Sequence, residues 1–162
     1  MSTTDTCPEE GVDAVLDAAR RRCEHQHRKL TPQRRQVLEL MLNAGAAVTA
    51  YQLIDAYREA HHRSVPPITI YRALDFLLDT GAIHRVESSN QYLVCRHLGC
   101  GHRHATPQFL ICRQCAAVDE LTVPEPIIAF FHDNADSAGF QLERLQFETH
   151  GLCRRCREKG HD

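Results

Sequence analysis

The chain has 162 residues, of which 43% are hydrophobic and 25% charged, and its formal net charge is −2. This composition excludes wholesale disorder and predicts one domain or two small ones. The apolar stretches are far too short to span a bilayer, so we expect no membrane protein. The first eleven residues, MSTTDTCPEEG, lack the basic start and apolar run of a secretory signal, which predicts a cytoplasmic protein.

Basic residues are distributed unevenly along the chain. Ten lysine and arginine residues but only four acidic residues lie between Arg20 and Arg72, so the remainder of the chain is acidic overall. Such asymmetry indicates a basic surface for a polyanionic partner, although a solvated helix face would give the same pattern. The chain also contains eight cysteines and eleven histidines. In a reducing compartment, paired cysteines bind metal more often than they form disulfides.

The first half of the chain carries signals for four helices. Apolar periodicity predicts a helix at about 12–27, and the Thr-Pro pair at 31–32 predicts a second helix that ends near Gly45. The sequence TAYQ at 49–52 matches a capping box and predicts the start of a third helix. After two prolines, ITIYRALDFLLDTG has the apolar spacing of a fourth helix, for which Gly81 is the stop signal.

Two short strands are predicted after these helices, at Ala82–Glu87 and Gln91–Cys95. Helices followed by a strand, a turn and a strand are the plan of a winged helix-turn-helix, in which the last helix enters the major groove of DNA. We therefore expect an α+β protein in which residues 1–95 form a winged-helix DNA-binding domain.

The remainder of the chain is expected to form a connector and a second, small domain. Residues 96–107 are rich in histidine, glycine and cysteine, which makes them a candidate hinge and metal loop. Residues 108–162 are expected to form an α/β domain. A domain of about fifty residues rarely supplies enough core by itself, so we expect it to need a structural metal and a partner subunit.

The elements of this second domain follow from its turn signals. We expect a hairpin closed by the Cys112–Cys115 turn, and then a helix at Pro124–Ala138. A strand is expected at Phe140–Thr149, although its alternation slips at Glu143-Arg144 and indicates a bulge. Three apolar residues of the helix are expected to face inward, namely Ile127, Ile128 and Phe131.

Two C-x2-C pairs separated by 37 residues are the strongest chemical signal in the sequence. Two intervening residues let both thiolates of a pair reach one tetrahedral ion. Four sulfur ligands close the coordination shell, which predicts a structural zinc rather than a catalytic one. A redox pair or two unrelated pairs are the alternatives, but no thioredoxin-like strand and helix flank the first pair. The expected ligands are Cys112, Cys115, Cys153 and Cys156.

A second, looser group of metal-binding residue types surrounds the junction of the two expected domains. A mixed shell of nitrogen, sulfur and oxygen ligands from the wing, the connector and the second domain would hold the domains in one arrangement. One ion takes four ligands, so most of the group are expected to be solvated polar side chains. The group comprises His84, Cys95, His97, Cys100, His102, His104 and Glu120, with His150 preceding the last cysteine pair.

The sequence resembles the ferric uptake regulator family over roughly residues 25–157. The similarity rests on the motifs LTPQRRQVLELM, PPITIYRALDFLLDTGAIHRVES, CRQC and THGLCRRC. RALDFLLDTGAIHRVES followed by YLVC is particularly similar to the zinc-sensing branch. The resemblance implies a homodimer with a winged-helix DNA-binding domain and a C-terminal dimerisation domain. It implies that zinc is the corepressor: the zinc-loaded dimer binds double-stranded operator DNA of zinc-uptake genes, with one or two dimers per operator, and releases it when zinc is scarce.

The resemblance also implies the zinc ligands. It places a structural zinc on the same four cysteines and a regulatory zinc on His84, Cys95, Glu120 and one histidine of the connector. His104 is preferred for that position because it is nearer the hairpin than His102, although its spacing to the first cysteine pair departs from the family's pattern. Cys100 has no family counterpart. The weaker candidates for further metal ligands are His102, His150 and His97.

The resemblance places the recognition helix at Ile68–Leu78. Side chains in the first half of such a helix face the groove. Arg72 suits guanine or phosphate, and Tyr71 suits a thymine methyl group or phosphate, although Tyr71 packed beside Leu74 in the core is the alternative. We expect backbone or minor-groove contacts from residues outside this helix. The complete set of expected DNA contacts is Thr69, Tyr71, Arg72, Tyr51, Arg34 and Arg35.

Three other functions are weighed against a zinc-responsive repressor. An iron or peroxide sensor of the same family is disfavoured by Cys95. Soft thiolate ligands suit zinc, whereas iron sensors favour histidine and carboxylate ligands. A zinc enzyme needs an open coordination position and a nearby general base. The sequence has no HExxH and no H-x-E paired with P-C-x-x-C, so we expect no enzyme. A zinc-dependent interaction module without DNA binding is disfavoured by the basic first half.

Overall fold

A computed structural model describes residues 11–62, 64–98, 106–143 and 145–159. These residues fall into two compact units, 11–98 and 106–159. Both units combine helices and strands, as the α+β prediction requires. No helix among the described residues is long and apolar enough to cross a membrane. Three residues of the predicted metal loop lie outside the described residues, namely Cys100, His102 and His104.

The first unit begins with four helices, whose ends follow the capping signals in the sequence. They are α1 (Val12–His25), α2 (Pro32–Ala44), α3 (Ala50–His61) and α4 (Pro67–Asp79). α1 ends two residues earlier than predicted, because His27 adopts a left-handed conformation with φ of 54° and the chain turns there.

Side-chain caps fix the starts of α2 and α3. The Thr31 side chain accepts a hydrogen bond from the backbone amide of Arg34, and Pro32 occupies the first turn of α2. Thr49 and Gln52 form the predicted capping box at the start of α3: the Gln52 amide donates to Thr49 Oγ1 at 3.2 Å, and the Thr49 amide donates to Gln52 Oε1 at 2.7 Å. These local signals were therefore sufficient to place both helix starts.

A two-stranded hairpin follows α4 and forms the wing. β1 (Ile83–Val86) pairs antiparallel with β2 (Gln91–Val94), and His84 lies opposite Leu93. Val48, in the loop before α3, forms a further antiparallel bridge with Tyr92 and ties the hairpin to the helices. The helices and the hairpin together confirm the predicted winged-helix plan.

The helices and the wing share one hydrophobic core. Its fully buried side chains come from α1, α2, α3, α4 and β1, and the largest of them include Leu38, Met41, Leu53, Ile70, Leu74 and Ile83. Burying a leucine or isoleucine side chain of this kind contributes about 1.5–3 kcal/mol. The core therefore fixes α4, the predicted recognition helix, against α2 and the wing.

The second unit is a three-stranded sheet with two helices. Its elements are β3 (Pro107–Cys112), β4 (Val118–Thr122), α5 (Glu125–Ser137), β5 (Phe147–Gly151) and α6 (Arg154–Lys159). The strand order is β4-β3-β5, with β3 antiparallel to β4 and parallel to β5. The predicted hairpin closed by the cysteine turn is confirmed as β3 and β4.

The predicted strand at Phe140–Thr149 is wrong in its first half. Phe140 donates its backbone N–H to the carbonyl of Ala135 and so closes the end of α5 after Gly139, which has φ of 78°. Pairing with β3 starts only at Phe147, opposite Gln108, because Pro107 before it has no N–H to donate. Glu143 precedes this strand, and Arg144, the other residue of the predicted bulge, lies outside the described residues.

The inward orientation predicted for α5 is also wrong for the chain by itself. The helix has no buried residue: Ile127 is 46% exposed, Phe131 is 40% exposed and Ile128 is only partly buried. Phe131 contacts Phe147 of β5, with 4.9 Å between ring centroids. Apolar periodicity located the helix correctly, but the same periodicity does not say which surface covers its apolar face.

Candidate metal centres and nucleic-acid surface

The four predicted zinc ligands meet at one end of the second unit. Cys112 is the last residue of β3 and Cys115 lies in the turn after it, whereas Cys153 follows β5 and Cys156 lies on α6. Their Sγ atoms all lie within 4.8 Å of one another, and none of them forms a disulfide. The parallel pairing of β3 and β5 explains this meeting, because it brings the ends of both strands to the same edge of the sheet.

The spacing of these sulfurs fits a tetrahedral zinc ion. The Sγ atoms of Cys115 and Cys153 are 3.7 Å apart. A tetrahedron with Zn–S bonds of about 2.3 Å has edges of about 3.8 Å, whereas a disulfide bond measures about 2.05 Å. The four cysteines can therefore hold zinc in a closed, four-sulfur shell, which leaves no position for a reacting water or substrate.

Backbone amides prepare part of this cluster for a metal ion. The Cys153 amide donates to Cys112 Sγ at 3.4 Å, and this bond, with others from Cys115 and Gln114, lowers the pKa of Cys112 to about 6. Burial first and the neighbouring thiols second raise the pKa of Cys156 to about 12. A backbone hydrogen bond from Ala117 also lowers the pKa of Cys115. The protein alone thus favours ionisation of two sulfurs and opposes that of Cys156, and a bound cation would stabilise all four thiolates.

Arg155 is a contact of this cluster that the sequence analysis missed. Its guanidinium donates a hydrogen bond to the Cys115 sulfur, which is the largest cause of the raised pKa of Arg155. A zinc ion with four thiolates carries two negative charges, so a neighbouring arginine stabilises it. The position of Arg155 inside the C-R-R-C sequence was the available signal.

Two of the predicted regulatory ligands form a pair in the first unit. His84 lies in the middle of the wing, on β1, and Cys95 directly follows β2. A ring nitrogen of His84 and Cys95 Sγ lie within 4.8 Å of each other, and Cys95 is buried. The Cys95 amide donates to the carbonyl of Ala82 at 3.0 Å, which extends the hairpin and holds the thiol in place. An imidazole and a thiol at this separation could ligate the same zinc ion.

The structure describes three more of the predicted metal ligands, Glu120, His97 and His150. Glu120 belongs to the second unit, on β4, where it is buried opposite Phe109. A buried carboxylate must be hydrogen-bonded or paired with a cation. His97 is partly buried just after Cys95, and His150 is exposed on β5.

The predicted DNA contacts on α4 differ in exposure. Arg72 is exposed, whereas Thr69 and Tyr71 are partly buried. Tyr71 packs against the hydrophobic core of the first unit, as its alternative interpretation proposes. Tyr51, on the first turn of α3, is 74% exposed and contributes nothing to the core. An aromatic side chain this exposed at a helix start is suited to a phosphate or sugar contact.

The two arginines predicted on α2 have contacts within their own unit. The Arg34 guanidinium lies 3.6 Å from the centre of the Phe76 ring and donates to the carbonyl of Lys29 at 2.9 Å. Arg35 forms ion pairs with Asp13 at 3.8 Å and with Glu39 at 3.5 Å. Arg35 remains half exposed, so its weak surface pairs could be exchanged for a phosphate.

Comparison with known proteins agrees with this architecture. Residues 25–157 match the ferric uptake regulator family. The chain is 43% identical over 144 residues to the zinc uptake regulation protein of Escherichia coli strain K12, covering 89% of this chain and 82% of that protein. It is 25% identical over 151 residues to the ferric uptake regulation protein of Bacillus subtilis strain 168, covering 89% of this chain and 95% of that protein.

Among solved structures, the chain is similar to a zinc uptake regulator complexed with zinc and DNA. The TM-score is 0.86 and the sequence identity 38%, and the match covers 95% of this chain and all of that one. Both the family match and the identity to the Escherichia coli protein extend over most of the sequence, across both units. The chain therefore belongs to the ferric uptake regulator family.

Proposed function

We propose that this protein is a zinc-responsive transcriptional repressor. In this proposal the zinc-loaded homodimer binds operator DNA of zinc-uptake genes and releases it when zinc is scarce. The observation that carries the proposal is the pair of His84 and Cys95, a nitrogen and a sulfur ligand suited to zinc, placed on the wing next to the predicted recognition helix. The similarity to a zinc uptake regulator that binds zinc and DNA supports it.

The zinc at the four cysteines is structural in this proposal. It joins the end of β3 to the segment after β5 and to α6, so that its binding energy contributes directly to the folding of the second unit. Arg155 stabilises its negative charge. Because the shell is closed, this ion is expected to exchange slowly and to report nothing about the concentration of zinc in the cell.

The regulatory zinc is proposed to bind His84 and Cys95 of the first unit, Glu120 of the second, and His104 of the connector. An ion with ligands from both units restricts their relative motion. In a dimer, this restriction sets the separation of the two recognition helices, which must match one or two turns of DNA. Zinc then raises the fraction of protein that is competent to bind, and the apparent DNA affinity rises in proportion.

The exposed apolar face of α5 supports the homodimer. Phe130, Phe131 and Ile127 are all at least 40% exposed, and they are neighbours on a helix that buries no side chain within its own unit. Contiguous exposed apolar surface of this kind is a feature of protein interfaces. We propose that a second copy of the chain covers it, which gives the dimer and places two winged units on one DNA.

Sequence-specific contact is assigned to α4. Arg72 is exposed on its first half and would contact guanine or phosphate, with Thr69 beside it. Tyr51 and Arg35 would contact the DNA backbone, because both are exposed enough to reach it. Because the Tyr71 ring packs against the core, only its hydroxyl end would contact the DNA.

An iron sensor of the same family is the second candidate. The relative named for iron is only 25% identical to this chain, compared with 43% for the relative named for zinc. The Cys95 thiol is the chemical reason to prefer zinc. Soft sulfur ligands favour zinc, whereas the sites of iron sensors are rich in oxygen ligands. Membership of a regulator family favours regulation over zinc catalysis.

The decisive experiment is a DNA-binding titration against free zinc. The probe is a duplex selected from a randomised pool by the zinc-loaded protein, and the structural zinc is left in place. We expect affinity to rise about 5- to 150-fold as a second zinc ion binds, a range typical of allosteric coupling. Iron(II) in place of zinc should give a smaller response.

Two cysteine variants locate the response. Cys95→Ser should remove most of the zinc dependence, whereas Cys23→Ser, the same change at a buried residue of α1 that keeps a group able to hydrogen-bond Thr80, should retain it. DNA binding that is indifferent to zinc in the unmodified protein would rule out the proposed function. A full zinc response in Cys95→Ser would rule out the proposed ligand set.

A further inference from the structure

A three-residue joint, residues 80–82, connects the predicted recognition helix to the wing. α4 ends at Asp79, Thr80 caps it, and the chain passes through Gly81 and Ala82 into β1. The Gly81 amide donates to Leu78 and the Ala82 amide to Leu77, each at 2.9 Å, which is the Schellman arrangement. Gly81 has φ of 70°, a conformation that only glycine adopts without strain. The joint is therefore a short turn whose backbone conformation depends on glycine at position 81.

Two side chains from the end of α1 hold the carbonyl groups of this joint. Arg22 Nη1 donates to the Gly81 carbonyl at 2.9 Å, and Gln26 Nε2 donates to the Thr80 carbonyl at 3.3 Å. Arg22 and Gly81 are 59 residues apart in sequence, so this contact is tertiary. The Arg22 charge also lies at the negative end of the α4 dipole, where a cation is stabilising.

The same joint is attached to the proposed metal ligands. The Ala82 carbonyl accepts the Cys95 amide at 3.0 Å, and His84 lies two residues beyond Ala82. Arg22 is also near enough to Cys95 for the two side chains to interact electrostatically. Arg22 thus contacts the one segment that separates the metal pair from the recognition helix.

We propose that Arg22 is a positioning residue for zinc-dependent DNA binding. By holding the Gly81 carbonyl, it locks the joint, so that α4 and the wing hairpin move as one rigid body when zinc fixes the wing. This inference rests on the proposed function, because it assumes that His84 and Cys95 bind the regulatory zinc. It adds a residue that ligates no metal and lies outside the DNA-contacting half of α4.

The lock acts on the transmission of the zinc signal and leaves zinc binding itself in place. Without Arg22, the Gly81 carbonyl loses this restraint, so that α4 has more freedom to shift relative to the hairpin within their shared core while His84 and Cys95 keep their positions. Zinc would still bind, but it would fix the recognition helix less firmly. The quantity that falls is the ratio of DNA affinities with and without regulatory zinc. Substitutions within coupled networks change such ratios by about 2- to 30-fold.

The test uses three variants of the full-length protein. Arg22→Gln removes the charge and shortens the reach to Gly81, and Arg22→Lys keeps a charge with a single-point donor. Arg20→Gln is the matched control, because Arg20 lies on the same helix but forms only exposed ion pairs, with Asp17 and Glu24. Each variant is titrated with the selected DNA duplex, with the regulatory zinc saturated and with it removed.

Cobalt(II) substitution provides a separate measure of the metal site. Sulfur-to-cobalt charge-transfer absorption of the ion bound at the regulatory site reports whether Cys95 still ligates. We expect Arg22→Gln to retain this absorption and second-ion stoichiometry while its affinity ratio falls about tenfold. Arg22→Lys should lose about two- to fivefold, and Arg20→Gln should match the unmodified protein.

The results of these titrations distinguish failure of the Arg22 proposal from failure of the proposed repressor function. An unchanged ratio in Arg22→Gln, or, if that variant does not fold, in Arg22→Lys, overturns the positioning role. Loss of the second metal ion in a folded Arg22→Gln also overturns it, because Arg22 would then act on metal binding. If the unmodified protein shows no zinc-dependent DNA binding, the proposed function fails and this inference fails with it.

Discussion

Different interactions stabilise the first unit and the second unit internally. The first unit has one continuous core, to which all four helices and the wing contribute buried apolar side chains. In the second unit the buried side chains are few and include Phe109, Ile111 and the proposed zinc ligands Cys112 and Cys156, and α5 buries nothing. A small unit with so little apolar burial depends on added interactions, which here are a metal ion and a second subunit.

This difference assigns separate roles to the two units. The continuous core of the first unit packs the recognition helix closely against the wing. A displacement of the wing therefore also displaces the helix. The second unit exchanges self-sufficiency for ligand-dependence, which suits a part that assembles dimers and carries metal. Substitutions that act on only one of the two modes of stabilisation test the comparison directly.

The largest effect is expected from Cys153→Ser. A structural zinc site contributes about 10–16 kcal/mol of binding free energy to folding, and loss of one thiolate removes a large part of it. We expect the second unit to unfold and the structural zinc to be lost. Metal analysis and amide hydrogen exchange check this result. The first unit should keep its protection, and unfolding of both units together would contradict the separation described above.

The complementary substitution in the first unit is Leu38→Ala. Leu38 has no exposed surface, and replacing a buried leucine by alanine costs about 2–5 kcal/mol through lost transfer energy and the cavity left behind. Thermal unfolding should show this loss in the first unit, while the zinc content of the four-cysteine site stays at the level of the unmodified protein. Zinc loss in Leu38→Ala would show that the two units fold as one.

The same contrast explains how much of the structure could be predicted from the sequence. Helix starts in the first unit were predictable because the signal lies within a few residues, as in the capping box of Thr49 and Gln52. The meeting of the four cysteines was equally predictable, since their spacing is itself what a tetrahedral metal ion requires. In both cases the determinant and its effect are local or explicit in the residue types.

The errors lie where the determinant is a distant or missing surface. The start of β5 at Phe147 depends on which residues of β3 can pair with it. The alternation of apolar and polar residues at 140–149 does not determine this pairing register. The apolar face of α5 is exposed in the single chain, and we propose that its covering surface belongs to a second copy, which the periodicity of α5 does not reveal. The contact of Arg22 with Gly81 spans 59 residues and follows no spacing rule.

Dimerisation should be sensitive to a charge on α5. Phe130 is 62% exposed, the most exposed of the phenylalanines on that helix. Phe130→Glu places a charge on the proposed interface, and loss of a central aromatic contact costs about 2 kcal/mol or more, so the dimer dissociation constant should rise about 30-fold. Analytical ultracentrifugation measures this shift. As a control, His132→Glu alters an exposed polar position of the same helix and should leave the dimer intact unless the face is wider than proposed.

The smallest effect is expected at the helix caps of the first unit, where two threonines can be compared. Thr49 takes part in a reciprocal capping box with bonds of 2.7 and 3.2 Å, whereas Thr31 accepts a single bond of 3.5 Å. Replacing a capping threonine by alanine costs about 1 kcal/mol. Thr49→Ala should therefore lower the free energy of unfolding of the first unit by more than Thr31→Ala.

Denaturant unfolding followed by helical circular dichroism measures both, in protein that retains its structural zinc. Equal losses would mean that Pro32, rather than the threonine before it, sets the start of α2. Zinc retention at the four cysteines should be identical in both variants, since neither cap contributes to the second unit.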